Sequence, residues 1–125
     1  MSGRRALFGA AAALVVTPAA MASLSNPDAE LIARCTAYIE AVIAYDGHGG
    51  ETENEDDDPF WHRLTAARTA LRGMRATTLA GVEAKARVAM HLAHQPSGRH
   101  DFDTGFVLDW PEQVVRDLLA IQGAA

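Results

Sequence analysis

The chain of 125 residues holds a single cysteine, Cys35, so no disulfide can form within it. In an oxidising compartment a lone thiol is either buried or pairs between chains. Cys35 lies on an apolar stripe, which predicts burial. Strand signals are missing too: no stretch alternates apolar and polar residues with β-branched enrichment. There is no glycine-rich phosphate loop, no serine-elbow motif and no Cys/His nucleophile pairing. The one long apolar run, residues 6–16, spans eleven positions. As a helix it rises about 16 Å, roughly half of a ~30 Å hydrocarbon core, so no permanent membrane span is expected. Basic side chains are in deficit, with 11 Lys and Arg against 16 Asp and Glu and a net charge of −5. That balance disfavours nucleic acid and anionic membranes as partners.

What is present begins with an export-like leader. Arg4 and Arg5 make a positive start, residues 6–16 an apolar centre, and Ala20-Met21-Ala22 a small-residue cleavage site before Ser23. No cysteine stands directly after the apolar centre, at the cleavage position, so a lipoprotein anchor is not expected. "GRRALF" resembles the twin-arginine leader, in which paired arginines precede one variable residue and two apolar ones. That resemblance implies cargo that folds before export. It departs from the pattern in having only three residues before the arginines and no lysine after the apolar pair. Removal of residues 1–22 leaves a 103-residue domain with 9 basic and 16 acidic side chains, net −7. This length suffices for one core without metal or disulfide support. The expected location is periplasmic or secreted, or cytoplasmic if the leader is not functional.

Four helices are predicted in residues 23–125, as a small, mostly antiparallel all-α bundle. The first, in "SNPDAELIARCTAYIEAVIAYDG", has Asn26 as cap, Pro27 at its first position and Gly47 as its stop. Leu31, Ile32, Cys35, Tyr38, Ile39, Val42 and Ile43 form its buried face. The second starts at Asp58-Pro59, buries Phe60, Leu64, Ala67, Leu71 and Met74, and stops at Gly73. Thr77 or Thr78 caps the third, which ends before Pro96. Its stripe of Leu79, Val82, Ala86, Ala89 and Ala93 is narrow and suits close packing, homodimerisation included. Gly81 costs that helix about 1 kcal/mol against alanine, which predicts a neighbour in close approach. The fourth starts with a capping-box pattern, Asp109 and Glu112. Trp110, Val114, Leu118 and Ile121 are predicted inward, flanked by Val115 and Leu119.

Four clusters invite chemistry. The run "ETENEDDD", residues 51–58, holds six carboxylates, and hard cations take six to eight oxygens. It lacks the calcium-loop order and reads as a solvated loop with a helix-capping end. Asp101, Asp103 and Glu112 occupy the first, third and twelfth places of a calcium loop, but Phe106 stands where glycine is required. The same segment carries "FDTG", the aspartic-protease signature, whose catalytic apparatus requires a β-rich fold. His91 and His94 stand three apart near a helix end and suit one metal ion, with His62, His100 or Asp101 as the third ligand where the fold brings one close. Otherwise they are exposed or complement the negative end of the third helix. Arg68, Arg72 and Arg75 share a stripe of the second helix. They suit an anionic ligand, or else pair with the acidic loop or complement the helix C-terminus.

The arginine-bearing leader, the "PDAELI..C" helix, the "DDDPFW" junction and "TTLAGVEAKAR" together resemble small uncharacterised bacterial helical proteins often encoded beside prophage genes. The resemblance implies no activity, and it implies a cytoplasmic setting as the alternative to export. The sequence therefore points first to a small exported helical interaction or structural protein without catalysis, acting on a protein partner or as a homo-oligomer. A divalent-cation module built on loops 51–58 and 101–112 is the second reading. An enzyme using His91, His94 and the aspartates Asp101 and Asp103 is the third. No catalytic or cofactor-binding residue is assigned.

Overall fold

The computed structural model describes residues 26–48 and 54–124. The leader positions Arg4, Arg5, Ala20 and Ala22, and Glu51 and Glu53 of the acidic run, lie outside the described residues. Four helices account for most of what is described: α1 (Ala29–His48), α2 (Pro59–Ala70), α3 (Leu79–Ala93) and α4 (Trp110–Ala124). A single turn of 3-10 helix, Glu55–Asp57, leads into α2. Among the described residues there is no strand, only an isolated antiparallel bridge between His94 and His100. The chain is an all-α bundle.

Packing pairs α1 with α2, α1 with α3, and α3 with α4. The contacts give direction. Arg34, early in α1, donates to the carbonyl of Ala70 at the end of α2 (2.6 Å), whereas Tyr45, late in α1, lies against Trp61 at the start of α2, ring centroids 5.4 Å apart. The two helices therefore run antiparallel. Likewise Ala76, before α3, reaches Asp117, while Lys85 further along reaches Gln113. Hence α3 and α4 are antiparallel too.

Local chemistry sets most helix starts. The Asn26 side chain accepts from the Asp28 N–H (2.9 Å) as expected, but Pro27 and Asp28 form a turn, and α1 begins at Ala29. Gly47 does not end α1, which continues through His48; Gly47 is exposed and meets no neighbour that would force a turn there. Asp58 caps α2 by accepting from the Phe60 N–H (2.9 Å), and Pro59 takes the first position. That helix ends at Ala70, and Gly73, at φ +78°, makes the turn beyond it. Thr78 caps α3 through the Gly81 N–H (3.2 Å). The capping box expected for α4 is not formed. Asp109 accepts instead from the Gln113 side chain (3.0 Å), and Glu112 turns to Arg116 (3.5 Å).

Leu31, Cys35, Tyr38 and Val42 of α1 meet Leu64 and Leu71, Val82, Val88 and Ala89 of α3, and Trp110 in one core. The Tyr38 and Trp110 rings stack at 5.9 Å. Ile43 is exposed, because successive helical residues are rotated by about 100° and Val42 takes the inward position. Two further expectations fail for the same reason. Val115 and Leu119 are 56% and 61% exposed, on the side of α4 opposite Trp110, Val114 and Ile121. The place between Val114 and Ile121 on the inward face belongs to Asp117, which is 1% exposed. The small-residue face of α3 is likewise spent within the chain. Val82, Ala89 and Ala93 are buried against its own bundle, while Leu79 is 65% exposed.

Candidate functional site

Two buried polar centres and two of the clefts hold residues singled out in the sequence or buried with charge. The first centre joins the start of α1 to the start of α3. Asp28, 4% exposed, accepts from the Thr77 and Thr78 N–H groups (2.9 and 2.8 Å) and from both hydroxyls (3.0 and 2.7 Å). Burial pushes its carboxyl up, but these hydrogen bonds outweigh that and hold it below its ordinary value. Asp28 also explains Gly81. A β-carbon at Gly81 would overlap the Asp28 carboxylate, with Oδ2 nearest and Cγ at 2.7 Å. The close neighbour expected from the glycine is therefore a side chain at the amino end of α1.

The second centre is an ion pair. Lys85, the only lysine in the chain, donates to Asp117 Oδ2 (2.7 Å) and Gln113 Oε1 (3.1 Å), and Asp117 accepts the Ala76 N–H (3.0 Å). Both charged side chains are almost wholly buried, 2% and 1% exposed. The pair ties the link before α3 to the middle of α4. Neither residue stands out by motif; the signal available was a charge in the midst of an apolar stripe. Asp117 falls in the series 110, 114, 117, 121, and Lys85 three residues beyond Val82. Cys35 is buried beside this region. Burial pushes its thiol up to about 11, against the opposing pull of the Lys85 charge.

A cleft of about 600 Å³ opens where the turn after α2 faces the start of α4. Arg68, Arg72, Arg75 and Arg116 line it with Lys85, over an apolar floor that includes Leu71, Met74 and Trp110. Asp109 is the one carboxylate of the lining. Of the expected stripe on the second helix only Arg68 lies on α2, which ends at Ala70; Arg72 and Arg75 follow in the turn and link, and the cleft gathers the three with Arg116 from α4. Among the described residues none of the first three forms an ion pair; Glu51 and Glu53 of the acidic loop lie outside those residues. The carbonyl of Ala70, near the end of α2, is taken by Arg34 instead. Arg68 lies 6.0 Å from the Trp61 ring centroid.

The second cleft, about 230 Å³, is aromatic: Tyr38, Tyr45, Trp61 and Phe106 line it, with Asp46, Arg68, His91 and His94. The two expected histidines do share this cleft. Asp101 and Asp103 do not join them. They belong to the exposed loop 95–109, where Asp101 accepts the Asp103 N–H in a local turn (2.9 Å). His100 sets its ring edge-on to His94, centroids 5.4 Å apart. Among the described residues no three His, Cys, Asp or Glu side chains are grouped so as to hold a metal ion. The calcium-loop positions also part company. Asp101 and Asp103 stay in the loop, while Glu112 lies inside α4 and is turned to Arg116. "FDTG" stands in this turn-rich loop with no strand to carry it.

The described part of the acidic run is consumed by the entry to α2. Asn54 accepts from Asp56 and Asp57, Glu55 accepts the Tyr45 hydroxyl (3.1 Å), and the Asp56 carbonyl meets the His62 ring. That hydrogen bond to Glu55 pushes the Tyr45 hydroxyl up from its ordinary value. No described helix is long and apolar enough to cross a membrane. No protein-family model, curated protein or solved structure matches the chain.

Proposed function

We propose that this chain is a small exported helical interaction protein that works by association rather than catalysis, and that its α4 helix is the surface through which it meets a second copy. The observation that carries this reading is the seam formed by Val115 and Leu119. The two stand four residues apart on one side of α4, both more than half exposed. Among the described helices α4 packs chiefly on α3, and none of them covers its outer side. Exposed apolar stripes on an otherwise amphipathic helix are where partner helices dock.

Charge favours a second copy over a partner of uniform charge. Glu112 and Arg116 border the seam as an opposite-charge pair. Two α4 helices placed antiparallel about a two-fold axis each offer acid and base, and their dipoles oppose. The buried ionisable groups support association rather than chemistry as the role. Asp28, Lys85 and Asp117 are each engaged by partners that hold helices together.

Light scattering during gel filtration of the full chain tests the association. The expected result is a dimer for the wild type and a monomer with unchanged helicity for L119K. A wild type that stays monomeric at about 100 μM overturns it, as does an L119K protein that remains a dimer. Export is tested separately by the intact mass of the protein recovered from cell fractions. A chain beginning at Ser23 outside the cytoplasm is expected; one retaining Ser2 within it refutes export.

A further inference from the structure

We infer that the cleft between the end of α2 and the start of α4 is a binding site for a small organic oxyanion carrying at least two phosphate or carboxylate groups. In a chain with net charge −5, four arginines and the sole lysine converge on one cavity of about 600 Å³. Chance placement of a minority charge does not concentrate it so, and like charges held close repel unless something negative lies between them. Among the described residues no carboxylate pairs with Arg68, Arg72 or Arg75. Arg116 has only an exposed contact to Glu112 at 3.5 Å.

Position divides the roles. Arg72 and Arg75 are exposed at the rim and keep their donor forks free for an oxyanion, in the planar two-point geometry that guanidinium offers phosphate and carboxylate. Arg68, half-buried and close to the Trp61 ring, is the more rigid of the three. Lys85 is held from behind by Asp117, which neutralises it, so the attraction falls to the arginines. Leu71, Met74 and Trp110 form an apolar floor for a carbon skeleton or flat ring between the charged ends. Asp109 stands at the mouth with one oxygen engaged by Gln113. Its charge opposes a bound anion, so a singly charged anion gains little and a multivalent one is selected.

Isothermal titration of the full chain with inorganic pyrophosphate and, separately, with citrate, in chloride buffers of matched ionic strength, tests the assignment and distinguishes phosphate from carboxylate preference. Saturable one-to-one binding of at least one is expected. R72A and R75A should each weaken it about tenfold or more, the range for loss of a charge-assisted hydrogen bond. R72K should retain part of the affinity. Arg87 stands on the outer side of α3 paired with Glu83, so R87A should bind like the wild type. Circular dichroism verifies that the rim variants are folded, which their exposed positions favour. Absence of saturable binding of either anion up to about 10 mM, or equal losses in R87A and R72A, overturns the assignment.

Discussion

Replacing Lys85 with methionine leaves the Asp117 carboxylate buried with only the Ala76 N–H to satisfy it. Removing one member of a buried pair costs about 3–5 kcal/mol, because the remaining charge is neither solvated nor compensated. For a domain of this size, whose whole stability is about 5–15 kcal/mol, K85M should therefore be severely destabilised. D117L strands the ammonium in the same way, with Gln113 Oε1 as its only remaining acceptor. The double variant K85M/D117L behaves differently. It removes both charges and leaves two neutral groups without partners, the Ala76 N–H and Gln113 Oε1. Gln113 is only half-buried and can turn toward water, so the remaining cost is close to that of one unsatisfied amide, about 1–3 kcal/mol. An additive pair would lose about 6–10 kcal/mol. Urea unfolding of the four proteins measures the cycle directly. A single-variant loss below about 1 kcal/mol, or a double variant as unstable as the sum, refutes the claim that this pair locks α4 to the link before α3.

Three further outcomes follow from the same contacts. G81A should lose about 2–4 kcal/mol in urea unfolding despite alanine's better helix propensity, since its methyl displaces the Asp28 carboxylate from its donors; a gain in stability would refute the close approach. Asp28 has its folded value depressed, so its contribution is present above the unfolded carboxyl value of about 3.9 and is lost as pH falls through the folded value. The urea midpoint of the wild type should fall toward that of D28N below about pH 4, and parallel pH profiles would count against it. Cys35, buried and with its thiol raised to about 11, should resist a thiol-reactive dye at pH 8 in the native protein and react fully in denaturant; rapid native labelling would contradict its burial.

The helix starts were legible in the sequence because capping is local. A short polar side chain such as Asn26, Asp58 or Thr78 reaches backbone N–H groups two or three residues away, whatever the rest of the chain does. The burial of Cys35 and the close neighbour of Gly81 were legible for a related reason: helical periodicity and the cost of glycine are properties of a few adjacent residues. Periodicity failed where a stripe is wide. Val115 and Leu119 are apolar and next in sequence to Val114 and Leu118, yet Asp117 took the interior place, because Lys85 and the Ala76 N–H arrive there from another element. Nothing within α4 announces that arrival. The same holds for the cationic cleft, where Arg68 stands near the end of α2, Arg72 and Arg75 follow in the link, and Arg116 joins them from 41 residues beyond Arg75.

Local sequence determined that this chain is helical, where most of its helices begin, and that no strand competes with them. Only the tertiary structure decided which charges are buried, which apolar seam is left open and which arginines face one another. The physical reason is range. Capping and propensity act over a few residues of chain, whereas desolvation and ion pairing depend on which groups approach through space. For Lys85 and Asp117, 32 residues apart, that approach exists only once α3 and α4 have packed.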